Sequence, residues 1–105
     1  MQYTSYLENG RLTVALTGEI DHHTAKSCIQ AVSAKIEAYT PDTCVLDFQE
    51  VSFVDSSGIA VVINALRAMT RIEGKLVLCG LGQQPMKVFR ASGIDQLVQI
   101  KEAVS

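Results

Sequence analysis

Two hydroxyls stand side by side in Val54-Asp55-Ser56-Ser57-Gly58-Ile59, where an apolar strand pattern gives way to a helical one. Upstream, Thr43-Cys44-Val45-Leu46-Asp47-Phe48 is β-branched and apolar, and Val51 to Val54 continues toward the turn. Downstream, Ile59, Val62, Ile63, Leu66 and Met69 recur at helical spacing. Asp55, Ser56 and Ser57 are all good N-cap types, so both hydroxyls are expected at a helix start, beside backbone N–H groups without intrahelical partners. Negative charge is favoured at such a place, and a serine phosphorylated there is expected to find donors waiting. The competing reading is that these residues cap the helix and do nothing else. On the tripeptide alone, capping is the commoner role.

Other residues that could do chemistry are less well placed for it. His22 and His23 are neighbours, and adjacent helical residues point about 100° apart, so they do not converge as an i, i+4 pair would. They read as solvated first-turn residues, not metal ligands. Gly80-Leu81-Gly82-Gln83-Gln84-Pro85 follows a strand and opens a helix, as a dinucleotide-binding loop does. Proline occupies the place of the third glycine, however, and no further strand–helix units remain to build that domain. Ser56 and Ser57 are not in Gly-x-Ser-x-Gly, and no histidine follows residue 23 to complete an Asp, Ser, His order. The opposite order would put the base on the opening turn of a different helix. Asp21, Asp47 and Asp55 sit near strand ends and could approach one another around Mg²⁺, but capping explains Asp21 and Asp55 more simply. The expectation is a protein that is not an enzyme and holds neither metal nor cofactor.

The elements that position these residues must come from 105 residues, enough for one domain and one modest core. A hydrophobic content of 48% against 19% charged residues argues for an ordered globular fold. The net charge of −2, with Lys and Arg scattered along the chain, leaves no basic footprint for nucleic acid. No apolar run approaches the roughly 20 residues of a membrane span, and residues 1–9 lack the basic start and apolar middle of a signal peptide. Cys28, Cys44 and Cys79 lie inside apolar patterns without Cys-x-x-Cys spacing, and read as small core residues in a reducing, cytoplasmic setting.

Gln2 to Leu7 and Arg11 to Thr17 bracket Glu8-Asn9-Gly10, which predicts a hairpin. Leu12, Val14 and Leu16 alternate with polar or small residues, so one face should meet a core. Gly18-Glu19-Ile20-Asp21 ends the strand. Asp21 is the predicted N-cap of a helix with Ala25, Cys28, Ile29, Val32 and Ile36 on one face. Pro41 stops that helix. A strand near 44–48, a helix over about 57–71, a turn at Glu73-Gly74-Lys75 and a buried strand at Leu76 to Cys79 follow. Pro85 fits the first turn of a third helix that runs through Ala91, with Gly93 as its left-handed stop and Ile94 making the accompanying apolar contact. Leu97 to Ile100 could form a last short strand. The expected order is β-β-α-β-α-β-α-β, an α/β fold with a mixed, mostly parallel β-sheet, helices packed against it and right-handed crossovers.

Within the second helix, Ile59, Ala60, Val61, Val62 and Ile63 are apolar on every side, where one stripe would suffice to cover a sheet. Ile59, Val62, Ile63 and Leu66 are assigned to the core. Ala60, Val61 and Asn64 are then expected to face outward beside the serines, as part of a partner surface.

Gly18-Glu19-Ile20-Asp21-His22-His23-Thr24-Ala25, Phe53-Val54-Asp55-Ser56-Ser57-Gly58-Ile59, Gly74-Lys75-Leu76-Val77-Leu78-Cys79 and Phe89-Arg90-Ala91-Ser92-Gly93-Ile94 together resemble the STAS domain of anti-sigma factor antagonists. The resemblance extends over almost the whole chain with matching spacing, so residues 1–105 are expected to form one STAS domain, and Asp-His-His-Thr-Ala is most similar to the sporulation, anti-sigma-F branch. It implies partner switching. The unphosphorylated antagonist binds an anti-sigma factor that is also a serine kinase and so frees the sigma factor for transcription. The kinase phosphorylates the first serine of Asp-Ser-Ser-Gly, here Ser56, the modified form no longer holds it, and a PP2C-type phosphatase restores binding. ATP and Mg²⁺ belong to the partner. The free antagonist is expected to be a cytoplasmic monomer without affinity for nucleic acid or membrane. Asp21, Asp55, Ser56, Ser57, Gly58, Ala60 and Val61 are the expected contact residues, with Gly58 serving close packing at the helix start. Phosphate adds about −1.5 to −2 charges, which Asp55 disfavours and a docked partner would have to desolvate. The chain departs from the pattern at Ala60, where sporulation members commonly carry glycine, and at Leu81-Gly82-Gln83-Gln84. It also departs at Lys101 to Ser105, a short tail where relatives usually carry a final helix. Other STAS domains serve in sulfate-type transporters, lipid-transport systems and stressosome-like assemblies, which are the alternative settings.

Overall fold

The computed structural model describes residues 1–102; residues 103–105 of the C-terminal tail lie outside the described part. The elements are β1 (Gln2–Glu8), β2 (Arg11–Ile20), α1 (Ala25–Tyr39), β3 (Thr43–Val54), α2 (Ser57–Arg71), β4 (Lys75–Cys79), α3 (Gln83–Ser92), a 3₁₀ turn (Ile94–Gln96) and β5 (Gln99–Lys101). Asn9 and Gly10, at φ 51° and 79°, form the two-residue turn of the β1–β2 hairpin, in which Glu8 pairs with Arg11. Two positive φ angles give a turn whose twist matches that of the flanking strands.

The sheet runs β1-β2-β3-β4-β5, with β1 antiparallel to β2 and each later pair parallel. The order of elements is as the sequence predicts. Its helices cover one face. Leu12, Val14 and Leu16 of β2, Cys44, Leu46 and Phe48 of β3, and Leu76 and Leu78 of β4 join Cys28, Val32 and Ile36 of α1 and Val62 and Met69 of α2 in one core. Phe89 of α3 meets Phe48 edge-on, with ring centroids 5.6 Å apart, a favoured aromatic geometry. On the other face Val45, Val77 and Cys79 form a separate small cluster. Cys79 is therefore buried, but apart from the main core that holds Cys28 and Cys44.

Several boundaries differ from the sequence expectation. β2 runs on through Gly18, whose φ of 122° suits glycine, to Ile20. β3 is a single strand of 12 residues, and its register against β2 shifts beyond the Ala15–Asp47 pair and again beyond Gly18–Val51. Asp47 Oδ1 accepts the Gln49 N–H at 2.9 Å at the first shift, giving the strand a local hydrogen bond where an extra residue breaks the ladder. Helix α1 starts at Ala25, not directly after Asp21, so the N-cap position falls to Thr24 and not to Asp21 as expected. Gly93, at φ 83°, ends α3, and Ile94 is buried as expected. The last strand falls at Gln99–Lys101, beyond the 3₁₀ turn that takes up Ile94–Gln96.

Candidate functional site

The C-terminal ends of β2 and β3 set the site. Ile20 pairs with Val54, and the Asp55 N–H donates to the Ile20 carbonyl at 2.9 Å. Asp21 and Asp55 thus leave neighbouring strands at the same end of the sheet, the juxtaposition that right-handed crossovers impose. Asp47 lies back along β3, opposite Ala15 and Cys79. Among the described residues no group of three or more His, Cys, Asp or Glu side chains converges as a metal site would.

Asp21 builds a reciprocal cap. Its Oδ1 accepts the N–H groups of His23 (2.8 Å) and Thr24 (3.1 Å), while the Thr24 hydroxyl accepts the Asp21 N–H at 3.0 Å and donates to the Glu19 carbonyl at 2.9 Å. This is a capping-box arrangement with threonine in the position where glutamate is usual. It occupies the turn before Ala25, which is why the regular helix begins later than expected. Partial burial raises the Asp21 pKa, but the His23 and Thr24 amides, the nearby His23 charge and the Thr24 hydroxyl outweigh that and hold it below the ordinary value. His22 and His23 are exposed, their rings 3.9 Å apart and tilted 40°.

The second loop is tied down mostly by its own residues. Asp55 Oδ1 accepts the Ser57 N–H at 2.7 Å, the Asp55 carbonyl accepts the Gly58 N–H at 3.0 Å, and the Ser56 carbonyl accepts the Ile59 N–H at 3.2 Å. The donors expected to await a phosphate are therefore already engaged. Asp55 does the capping. Ser56 stands at the N-cap position without a side-chain capping bond and is exposed, whereas Ser57 is half-buried. Of the three polar side chains at this helix start, Ser56 offers the accessible hydroxyl.

Two assignments on α2 are corrected by packing. Val61 is 1% exposed and belongs to the core, in a stripe of Gly58, Val61, Val62, Ala65, Ala68 and Met69. Ile59, Ile63 and Leu66 pack only partly against that core. α2 lies against α1 as well as the sheet, which rotates the buried stripe from the face first assigned. The outward surface beside Ser56 is accordingly Ala60, the rims of Ile59 and Ile63, and Asn64, whose Nδ2 donates to the Ala60 carbonyl at 2.7 Å. Gly58 is buried, and a Cβ there would collide with Val54 Cγ1 and approach Ile20 Cγ2 at 3.6 Å. The close packing seen at Gly58 is internal, between helix and strand.

A further residue enters from α3. The Gln84 carboxamide donates through Nε2 to the Val54 carbonyl at 2.7 Å and accepts the Val54 N–H through Oε1 at 2.9 Å. The glycine-containing loop before α3 thus delivers a side chain to the end of β3, and Pro85 is buried behind it. Sequence periodicity carries no sign of this contact, since the two residues are 30 apart in the chain.

Fold and loop together define a single-domain α/β module with an exposed, uncapped serine at the C-terminal end of its sheet. The sequence pattern of the STAS domain matches residues 4–105, and the chain belongs to that family. It is 31% identical over 83 residues to the anti-sigma F factor antagonist of Lysinibacillus sphaericus, covering 79% of this chain and 71% of the relative. It is 28% identical over 97 residues to an anti-sigma-B factor antagonist of Listeria monocytogenes, covering 90% and 82% of the two chains. The solved anti-sigma factor antagonist SpoIIAA in its unphosphorylated form superposes with a TM-score of 0.83 at 25% identity, over 99% of this chain and 90% of that one. The phosphorylated form of SpoIIAA, described as a Bacillus cell fate determinant, superposes with a TM-score of 0.75 at 25% identity, over 99% and 93%.

Proposed function

We propose that this STAS domain is an anti-sigma factor antagonist that works by partner switching. Unphosphorylated, it binds an anti-sigma factor that is also a serine kinase and thereby releases a sigma factor. Phosphorylation of Ser56 ends that binding, and a PP2C-type phosphatase reverses it. The protein itself is a phosphate acceptor and binding module of the cytoplasm, and ATP and Mg²⁺ come with the kinase.

The observation that carries this reading is the division of labour at the start of α2. Asp55 takes over the cap, leaving the Ser56 hydroxyl exposed. A cap-only serine would spend its oxygen on the helix. The engaged amides of Ser57, Gly58 and Ile59 supply the switch. With those donors taken and Asp55 adjacent, a phosphate on Ser56 stays solvated, and a partner packing on Ala60 and the rims of Ile59 and Ile63 must strip water from a charge of about −1.5 to −2. The small apolar contact cannot offset that. Asp21, at the same sheet end, extends the surface toward a basic group on the kinase.

Both antagonist types among the relatives fit the arrangement. The Asp21-His22-His23-Thr24 turn favours the sporulation, sigma-F type, and the general-stress, sigma-B type is the second reading. The deciding experiment incubates the protein with its cognate anti-sigma kinase and ATP and maps phosphate by mass spectrometry. Phosphate on Ser56, and loss of kinase binding with it, is expected. Phosphate confined to Ser57, or unchanged binding after Ser56 is modified, overturns the assignment.

A further inference from the structure

We propose that Gln84 is a positioning residue for phosphorylation of Ser56, holding the end of β3 so that the acceptor loop meets the kinase in one geometry. The inference rests on the reading of Ser56 as phosphoacceptor.

The argument begins with the hydrogen-bonding groups of Val54. β4 pairs with β3 only from Thr43 to Asp47, so the stretch of β3 leading to Val54 has β2 on one side and no strand on the other. In the Ile20–Val54 pair the ladder bond to the Ile20 carbonyl comes from Asp55. The N–H and C=O of Val54 itself point to the opposite edge, as parallel pairing requires. Left alone there, on a residue that is fully buried, they would be a costly unpaired donor and acceptor.

Gln84 satisfies both. Its carboxamide offers one donor and one acceptor side by side, and binds Val54 N–H at 2.9 Å and Val54 C=O at 2.7 Å as a strand would. The reversed amide would set donor against donor, so the pairing selects one orientation. Glutamine has the reach because it sits in the first turn of α3, whose Phe89 is anchored against Phe48.

Three restraints then converge on the residues before the acceptor. Gln84 clamps Val54, Ile20 holds the Asp55 N–H, and α2 packs so near at Gly58 that a Cβ there would collide with Val54. Ser56 follows two residues after Val54. The hydroxyl must approach the phosphoryl group in line, and displacement of about 1 Å from a productive geometry can cost roughly a hundredfold in rate. Gln84 touches neither nucleotide nor hydroxyl. It acts through Val54.

The test compares Gln84→Met, which keeps length and loses both bonds, with Gln84→Glu, which keeps an acceptor for the Val54 N–H and loses the donor. Each is phosphorylated by the cognate anti-sigma kinase with ATP over a range of antagonist concentrations, and Val54 amide exchange is measured in the free protein. Expected is a fall in kcat of about tenfold or more for Gln84→Met, a smaller fall for Gln84→Glu and a KM within about twofold of the parent. Val54 exchange should quicken in the same order. A kcat near the parent value in both variants overturns the proposal while Ser56 remains the acceptor. So does a rise in KM alone, which would make Gln84 a docking residue. If the parent itself takes no phosphate on Ser56, the acceptor reading falls and takes this role with it.

Discussion

The Asp55 N–H donates to the carbonyl of Ile20 at 2.9 Å, so the residue before Asp21 is bonded to the residue before Ser56. Two acidic residues that open different helices are held at one end of the sheet by a single ladder bond. Asp21 and Ser56 thereby stand at the same end of the sheet, where the proposed partner surface lies. Asp21→Asn retains a good cap and removes the charge, so thermal stability near neutral pH should change little. Kinase binding should weaken about fivefold or more and lose part of its salt dependence. Calorimetric titration showing the variant binding as tightly as the parent, at low and at moderate salt, would remove Asp21 from the surface.

The same carboxylate predicts a response to acid. Its folded pKa lies below the unfolded value, chiefly because the His23 and Thr24 amides outweigh the effect of burial. The stabilisation it provides is therefore complete above the ordinary carboxylate range, about pH 4, and is lost as pH falls through the lower folded pKa. Melting curves of parent and Asp21→Asn should lie close together at pH 6 and differ in slope below about pH 4, the parent losing more. Parallel pH profiles would show that the cap does not depend on the charge.

Gly58→Val is expected to damage folding before it damages binding. A Cβ at Gly58 meets Val54 Cγ1, with Ile20 Cγ2 close behind, and relief requires α2 to move off the strand. Overpacking of this kind costs about 1–3 kcal/mol. Chemical denaturation should show a lower midpoint at an unchanged slope. Native stability combined with lost kinase binding would return Gly58 to the partner surface.

These cases show which parts of the molecule were legible in the sequence. The hairpin was, because Asn-Gly tolerates the two positive φ angles that its turn needs. The strand–helix order was, because apolar alternation and helical spacing carry different periods. The buried face of α2 was not, since Ile59, Val61, Val62 and Ile63 are apolar on all sides and only packing against α1 selects the stripe. The start of α1 was displaced by a threonine that closes a cap from the far side of the turn. Asp55, Ser56 and Ser57 are all cap types in the sequence, but which of them spends its oxygen on the helix is a matter of side-chain geometry. Gln84 gave no local signal at all. Its role exists only once β4 has ended short of Val54.

All three thiols should be slow toward alkylation in the native protein. Burial pushes Cys44 up to about 12 and Cys28 up to about 11, the latter eased slightly by a hydrogen bond from Tyr3. Burial and the adjacent Asp47 carboxylate raise Cys79. The thiolate is the reactive form, so iodoacetamide at about pH 8, below the ordinary thiol pKa, should modify none quickly. Cys79 should react first, since it lies in the small cluster on the face without helices and is 6% exposed where the other two are fully buried. Peptide mapping that finds Cys28 or Cys44 modified ahead of Cys79 would contradict the packing of the main core.

Ala60 and Val61 are adjacent in sequence and opposite in exposure, which makes them the sharpest test of the proposed partner surface. Val61 is 1% exposed beneath α2, while Ala60 is exposed one turn beyond Ser56. Val61→Ala removes buried methyl groups and leaves a cavity, a loss of roughly 1.5–3 kcal/mol in stability. The variant that remains folded should bind the kinase like the parent. Ala60→Glu adds a solvated charge to an exposed helical position, so its stability should stay within about 0.5 kcal/mol. Docking would bury that charge, and binding should fall by about 2 kcal/mol or more, roughly thirtyfold in Kd. Ser56→Asp, one turn earlier on the same surface, should weaken binding at least as much as Ala60→Glu. Each variant is followed by thermal denaturation and by titration against unmodified kinase. The reverse pattern, with Val61→Ala impairing binding at full stability and Ala60→Glu binding normally, would place the contact on a face that packing now assigns to the core.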